Sequence, residues 1–486
     1  MWRCESVTSP LWFSLCKPLC HFESKKLLTY NKLKPACVSP TSNFKSQISL
    51  SCHRNYRSMK KIIIPALTLL LVYNAQAQKI NKIISEKKVR KIETTLSSDA
   101  MGGRGLFSRG LDMAADFITA GFKSAGLQPV NDNGSYFQEF EVVEANQTDA
   151  RGALNGKDID AKNIFALTSA EELAVDAESG YELATITASD KLLNNAYRYM
   201  LSGKNYIVWV DTAHAKNFNA LSRLKGERFR SNSSVILVLT PEPAKEFSFS
   251  IHHTIIEKKL KNVVGILPGK SKKDEYVIFS GHYDHLGIGK PDANGDSIYN
   301  GANDDAAGTT AVIMLSKYFS KLKNNERTIV FAAFTAEESG GFGSQYFSKQ
   351  FDPAKVMAMF NIEMIGTESK WGRNSAYITG YEKTDMGKIL EKNLQGTGFT
   401  FHPDPYPDQQ LFYRSDNATL ARLGVPAHTI STSKMDSEPF YHTLDDEVET
   451  LDIKNMAEII KAIALSSKTI VSGEDTPSRV DATQLR

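Results

Sequence analysis

Cysteine is the first thing this 486-residue chain lacks over most of its length: all five, Cys4, Cys16, Cys20, Cys37 and Cys52, precede residue 59. The remainder therefore has no disulfide, no thiol nucleophile and no thiolate metal ligand. Excess positive charge is missing too. Eleven of the 58 Lys/Arg but only two of the 55 Asp/Glu lie in residues 1–77, which leaves 47 bases against 53 acids beyond them. That balance argues against a nucleic-acid surface. The apolar run at 62–72 is too short to cross a bilayer, so stable membrane insertion is not expected.

What is present reads as globular, with 41% hydrophobic and 23% charged residues. The length exceeds one ordinary core and predicts two domains or one enlarged one. From Met59 the chain reads MKKIIIPALTLLLVYNAQAQ, a basic pair, a short apolar run and a small-residue site at Ala75-Gln76-Ala77. Residues 59–77 thus have the form of a secretory signal peptide, and a periplasmic or secreted bacterial location is expected. Residues 1–58, which show no periodicity, read as an upstream extension or a misplaced start. A cysteine-free exported fold of this size needs no covalent staples.

Apolar residues Ile80, Ile83, Ile84, Ile92 and Leu96 recur at helical spacing and predict one amphipathic helix over 80–96. A second helix is expected over 111–125, capped by Gly126. Between them, Arg104 in the loop Gly102-Gly103-Arg104-Gly105 reads as a solvated or capping arginine. Residues 146–255 change character: short apolar runs at 164–167, 206–210 and 235–239 with no ligand-type cluster read as a smaller inserted module, α/β or β-rich. Isolated His214, His252 and His253 there read as surface or packing residues. GILPGKS at 265–271 is one residue short of a phosphate-binding loop and has a proline where a donor is needed, so it reads as a turn.

From residue 262 on, strand and helix patterns alternate: strands at 276–279, 328–334, 356–362 and 427–430, helices at 309–322, 342–350 and 454–470. This predicts an α/β fold with a mixed, largely parallel sheet sandwiched by helices, whose crevice lies off the carboxyl ends of its strands. Residues 78–145 and 256–471 would form this main domain, and the polar tail 472–486 is expected to be disordered.

The chemistry gathers at those carboxyl ends. His282 and Asp284 follow the first strand, Glu337 and Glu338 the second, Glu363 the third and His442 the last, while Asp304 starts the helix beside the first strand. Singly each has an ordinary reading as core histidine, helix cap, loop acid or surface residue. At one edge of one sheet they suit two divalent ions sharing a carboxylate. Two such ions, three carboxylates and a hydroxide also sum to a neutral site. Side chains of adjacent Glu337 and Glu338 diverge, so one is expected as ligand and the other as base. Asp284 is spaced to orient the His282 imidazole through its other nitrogen.

The motifs GHYDHLG, NGANDDAAGTTA, FTAEESGGFGSQ, NIEMIG and YHTLDDEVETLD resemble, in this order, the signatures of the co-catalytic di-zinc aminopeptidase family, which includes bacterial leucyl aminopeptidases and glutamate carboxypeptidase. The resemblance implies a zinc-exopeptidase-like fold and two zinc ions per chain. Asp304 would bridge them, with Glu338 and His442 completing one site and His282 and Glu363 the other. It further implies Glu337 as general base, Asp284 as the acid behind His282, a cis peptide between Asp304 and Asp305, and a role for Tyr441 at the oxyanion. Glu363 departs from the aspartate usual there, and its longer arm is expected to alter metal spacing or weaken that site. His285, His402 and His428 match no ligand position, although His285 could line the crevice. The inserted module resembles in position a protease-associated domain and is expected to cap the crevice.

The reaction implied is hydrolysis of N-terminal residues from peptides with a free N-terminus. Three alternatives stay open: a glutaminyl cyclase of the same fold, a carboxypeptidase-type preference using Arg373 or Arg414, and a catalytically dead binding or receptor protein. Neither His-Glu-x-x-His nor Gly-x-Ser-x-Gly occurs, so other common peptidase machineries find no support.

Overall fold

A computed structural model describes residues 79–485; the readings made for residues 1–58 and 59–77 lie outside them. Eight of the eleven strands of the main sheet are β1 (Phe137–Leu154), β2 (Phe247–Leu267), β3 (Lys272–His282), β4 (Arg327–Phe334), β5 (Val356–Ile362), β6 (Ser375–Ile378), β7 (Thr400–Pro403) and β8 (Ala427–Ser431). Their order is β7-β6-β8-β5-β3-β4-β2-β1. The four central strands β8, β5, β3 and β4 run parallel. Both flanks turn antiparallel, at β6 against β8 and at β2 against β4 and β1. The sheet is mixed, as expected, with a parallel centre to which β1 and β2 add a long antiparallel ribbon on one side.

The helices are α1 (Glu86–Leu96), α2 (Arg109–Ala125), α3 (Ala307–Leu322), α4 (Phe342–Ser348), α5 (Met386–Asn393) and α6 (Ile453–Ser466). They cover both faces of the sheet. Val277 and Phe279 of β3 pack with α1, α2, α3 and α6 residues such as Leu96, Phe122, Phe319 and Ile460, while the intervening Ile278 packs with Phe347 of α4 and with Leu420 and Ala421. Period-2 alternation in a strand buried on both sides explains why it reads as a continuous apolar run. The helix expected over 80–96 is broken at Ser85, whose extended backbone starts α1 afresh. α2 begins where the Ser108 side chain accepts the Leu111 N–H and ends at left-handed Gly126.

Three apolar runs of the 146–255 region, Ile164–Leu167, Tyr206–Val210 and Val235–Leu239, join Glu182–Ile186 in a separate four-stranded sheet. It has its own apolar clusters, one centred on Ile207 and Trp209, the other on Val208 and Leu237. The tail departs from expectation. Arg327 donates to the carbonyls of Ile470 and Asp475, Arg479 donates to those of Val356 and Pro353, and Val480 is buried. Two arginines satisfying backbone carbonyls thus fasten a segment whose composition is polar.

Candidate metal centre

The parallel register brings the expected residues to one edge. His282, the last residue of β3, pairs with Phe334 of β4, and Ser280 pairs with Asn361 of β5. Two residues further along, Glu363 comes level with His282, and the turn after β4 carries Glu337 and Glu338 to the same edge. Three non-glycine residues there have left-handed backbones: Ala336 before Glu337, Met364 after Glu363, and His442 itself. Such conformations are uncommon and persist where surrounding contacts over-determine them.

Asp304 stands at the centre, buried in an irregular turn (Ala302–Ala306) ahead of α3. Its Oδ1 is 3.1 Å from His282 Nε2, and its Oδ2 is 3.2 Å from His442 Nε2. Glu338 Oε2 lies 3.1 Å from the same His442 nitrogen. His282, Asp304 and Glu363 form one group whose ligand atoms lie within 4.8 Å of one another, and His285, Asp304 and Glu338 form another. Glu337 enters neither group but lines the same pocket with Glu363 and Tyr441. The Tyr441 ring stacks on His442 at 3.9 Å. The peptide between Asp304 and Asp305 is cis.

Backbone amides and carbonyls hold this arrangement. The Asp305 carboxylate accepts from the amides of His282, Gly308 and Met364, tying β3, α3 and β5 together. A Cβ on Gly308 would run into the Ile362 carbonyl and that carboxylate, so only glycine fits. The Asp446 carboxylate accepts from the amides of Asn303 and Asp304.

Asp284 behaves differently from its expected role. Its carboxylate oxygen is 3.8 Å from His282 Nδ1, and it is the Asp284 carbonyl that lies 3.1 Å from that nitrogen. The carboxylate instead accepts from the amides of Glu337 and Glu338 at 3.1 and 3.4 Å. It therefore orients the glutamate turn rather than the imidazole.

Two residues were read too modestly from sequence. His285 is buried with its Nδ1 2.8 Å from Glu338 Oε1, so it holds the oxygen opposite the one facing His442. Its place three residues after His282, in one polar burst, was the available signal. Arg104 is fully buried, not solvated. Its guanidinium donates to the carbonyls of Tyr283 (2.9 Å), Leu96 (2.8 Å), Asn300 (2.5 Å), Gly301 (2.8 Å) and Asp304 (3.4 Å). Only the crowded glycines of the Gly-Gly-Arg-Gly loop hinted at a close approach; a Cβ on Gly103 would collide with the carbonyl of Tyr299. His402 and His428 lie apart from the centre, stacked on Trp371 and bonded to Thr379 and Thr384 respectively.

The donor set fits divalent cations. Nε2 of both His282 and His442 is buried without a hydrogen-bond partner, aimed at carboxylates. Burial, against the pull of His282 and joined by repulsion from Glu363 and other carboxylates, pushes Glu337 well up, while burial carries Glu363 to about 7 despite the His282 charge. Imidazole nitrogens and carboxylates together are the ligands of zinc and similar ions.

Behind the centre, the buried Glu93 of α1 is pushed up to about 8, chiefly by burial and against the pull of Arg104. Between about 4.5 and 8 the folded protein holds a proton that the unfolded chain has released, so stability is full below that range and falls as pH rises through it. Glu93→Gln is expected to flatten the decline in Tm over this window, read by thermal melts at several pH values; parallel curves for the two proteins would refute it.

Residues 262–466 match the sequence model described as "Peptidase family M28". A Trichophyton verrucosum protein named "Probable leucine aminopeptidase" is 31% identical over 218 residues, 43% of this chain and 56% of that protein. A Pyrenophora teres protein named "Probable zinc metalloprotease" is 36% identical over 114 residues, 23% and 24% of the two chains. This chain thus spans about half the length of the former relative and a quarter of the latter. A solved zinc aminopeptidase from Bacillus subtilis superposes over 80% of this chain and 95% of its own at 17% identity and a TM-score of 0.48, a likeness too loose to bear on function. The converging histidines and carboxylates all fall between residues 262 and 466, so the part of the chain that builds the centre is the part that matches the peptidase family M28 model.

Proposed function

We propose that the protein is an exported zinc-dependent aminopeptidase that holds two zinc ions and removes N-terminal residues from peptides. The observation that carries this reading is the division of Asp304, one oxygen facing His282 and the other His442. His282, Asp304 and Glu363 would hold one ion, and Asp304, Glu338 and His442 the other. Bound there, zinc supplies the Lewis acidity that polarises a scissile carbonyl and makes a water acidic near neutral pH.

The chain's own residues do the rest. Glu337, fixed by the Asp284 carboxylate through its amide, takes a proton from the attacking water and returns it to the leaving amine. The Tyr441 hydroxyl donates to the developing oxyanion from the pocket wall. The free α-amine would sit near Glu337 and Glu363 in this pocket, which favours removal of terminal residues. His285 positions Glu338 from behind. Export is supported by the signal-peptide pattern of residues 59–77; among the described residues no helix is long and apolar enough to cross a membrane. None of the residues lining this pocket comes from 146–255.

Hydrolysis of aminoacyl-p-nitroanilides is expected to cease on chelation and return with zinc, with two zinc ions per chain by elemental analysis. Chelator-resistant hydrolysis would defeat the proposal. One ion per chain together with pyroglutamate formation would favour the cyclase reading instead.

A further inference from the structure

The pocket beside Asp304 is acidic on one side, with Glu337, Glu338 and Glu363, and carries a single basic side chain, Arg414. Arg414 is exposed, its Nη1 donates only to the Gln409 side chain at 3.3 Å, and no carboxylate pairs with it among the described residues. Its chain neighbour Ser415 donates to Glu363, which anchors the backbone of Arg414 at the edge of the centre. Its charge is also felt at Tyr441 across the pocket. The other available arginine, Arg373, is already committed to Glu368 and Asp452 at 3.1 and 2.7 Å.

An uncommitted guanidinium at the mouth of an acidic pocket is a planar fork left open for a ligand. We propose that Arg414 selects substrates that carry a carboxylate close to the scissile bond. This rests on the peptidase reading of the pocket. The carboxylate can come from an acidic N-terminal side chain or from the C-terminus of a short peptide, and the chemistry of recognition is the same.

Two substrate pairs separate these sources on the zinc-loaded protein: Glu- against Gln-p-nitroanilide, and Leu-Gly against its C-terminal amide. In one pair the carboxylate member is expected to have the higher kcat/KM by about tenfold, expressed in KM. Arg414→Gln should bring that ratio close to one, and Arg414→Lys should keep part of it. Ratios near one in both pairs, or a ratio that survives Arg414→Gln, would overturn the assignment. If no substrate is turned over, the aminopeptidase reading fails by itself. The same pairs titrated calorimetrically against Glu337→Gln protein, with and without Arg414→Gln, then decide on Arg414: a carboxylate preference lost with the arginine supports it, and one absent or retained refutes it.

Discussion

Replacing Glu337 by glutamine is expected to lower kcat on aminoacyl-p-nitroanilides by about 10³-fold while zinc content stays at the wild-type level. Glu337 lies outside both groups of converging ligand atoms yet lines the pocket they share, so its amide variant should spare the donors and remove only the base. The backbone hydrogen bond from its amide to Asp284 does not involve the side chain and should persist. Glu338→Gln makes the contrast: its carboxylate faces both His285 and His442, so loss of activity there should come with loss of zinc. A Glu337→Gln protein with a rate within a few-fold of wild type would remove it from the mechanism. So would one whose low activity tracked lost metal.

Arg104→Met is expected to destabilise the protein by about 3 kcal/mol or more and to weaken zinc binding by at least about tenfold. The substitution leaves five buried carbonyls facing an apolar chain, and each unsatisfied acceptor costs roughly 1–3 kcal/mol before any relaxation. Four of them belong to the two segments that bear His282 and Asp304, so relaxation should move the ligands apart. Arg104→Lys keeps the charge but offers three donors without the planar fork, and should recover part of the stability. Urea unfolding and zinc competition with a chromophoric chelator measure the two effects separately. Wild-type stability with weakened zinc binding would assign Arg104 to positioning alone; wild-type values of both would show that the clamp is dispensable.

Much of the site was readable before the fold was known. Strand composition at 276–279 and 356–362 located two carboxyl ends, and the structure extends the first to His282 and keeps the bounds of the second. Apolar runs at 164–167, 206–210 and 235–239 match strand for strand. What misled was composition read without partners. The tail looked solvated because its polar residues were counted and the arginines that fasten it, one of them Arg327 on β4, were not. The long β1–β2 ribbon was missed because its strands are separated by residues 155–246, and no local period reports a pairing such as Phe137 with Val263.

By itself the sequence determined which metal-capable residues stand at the strand ends, because alternating apolar patterns and polar bursts are local features set by neighbours a few residues apart. Tertiary structure alone decided how those residues are held. That Arg104 is buried against a carbonyl 196 residues away, that Asp284 steadies the glutamate turn rather than His282, that His285 backs Glu338 and that Arg414 has no carboxylate partner among the described residues while Arg373 has are all matters of contact between distant segments. Hydrogen bonds and ion pairs depend on distances of about 3 Å, and only the packed chain sets these.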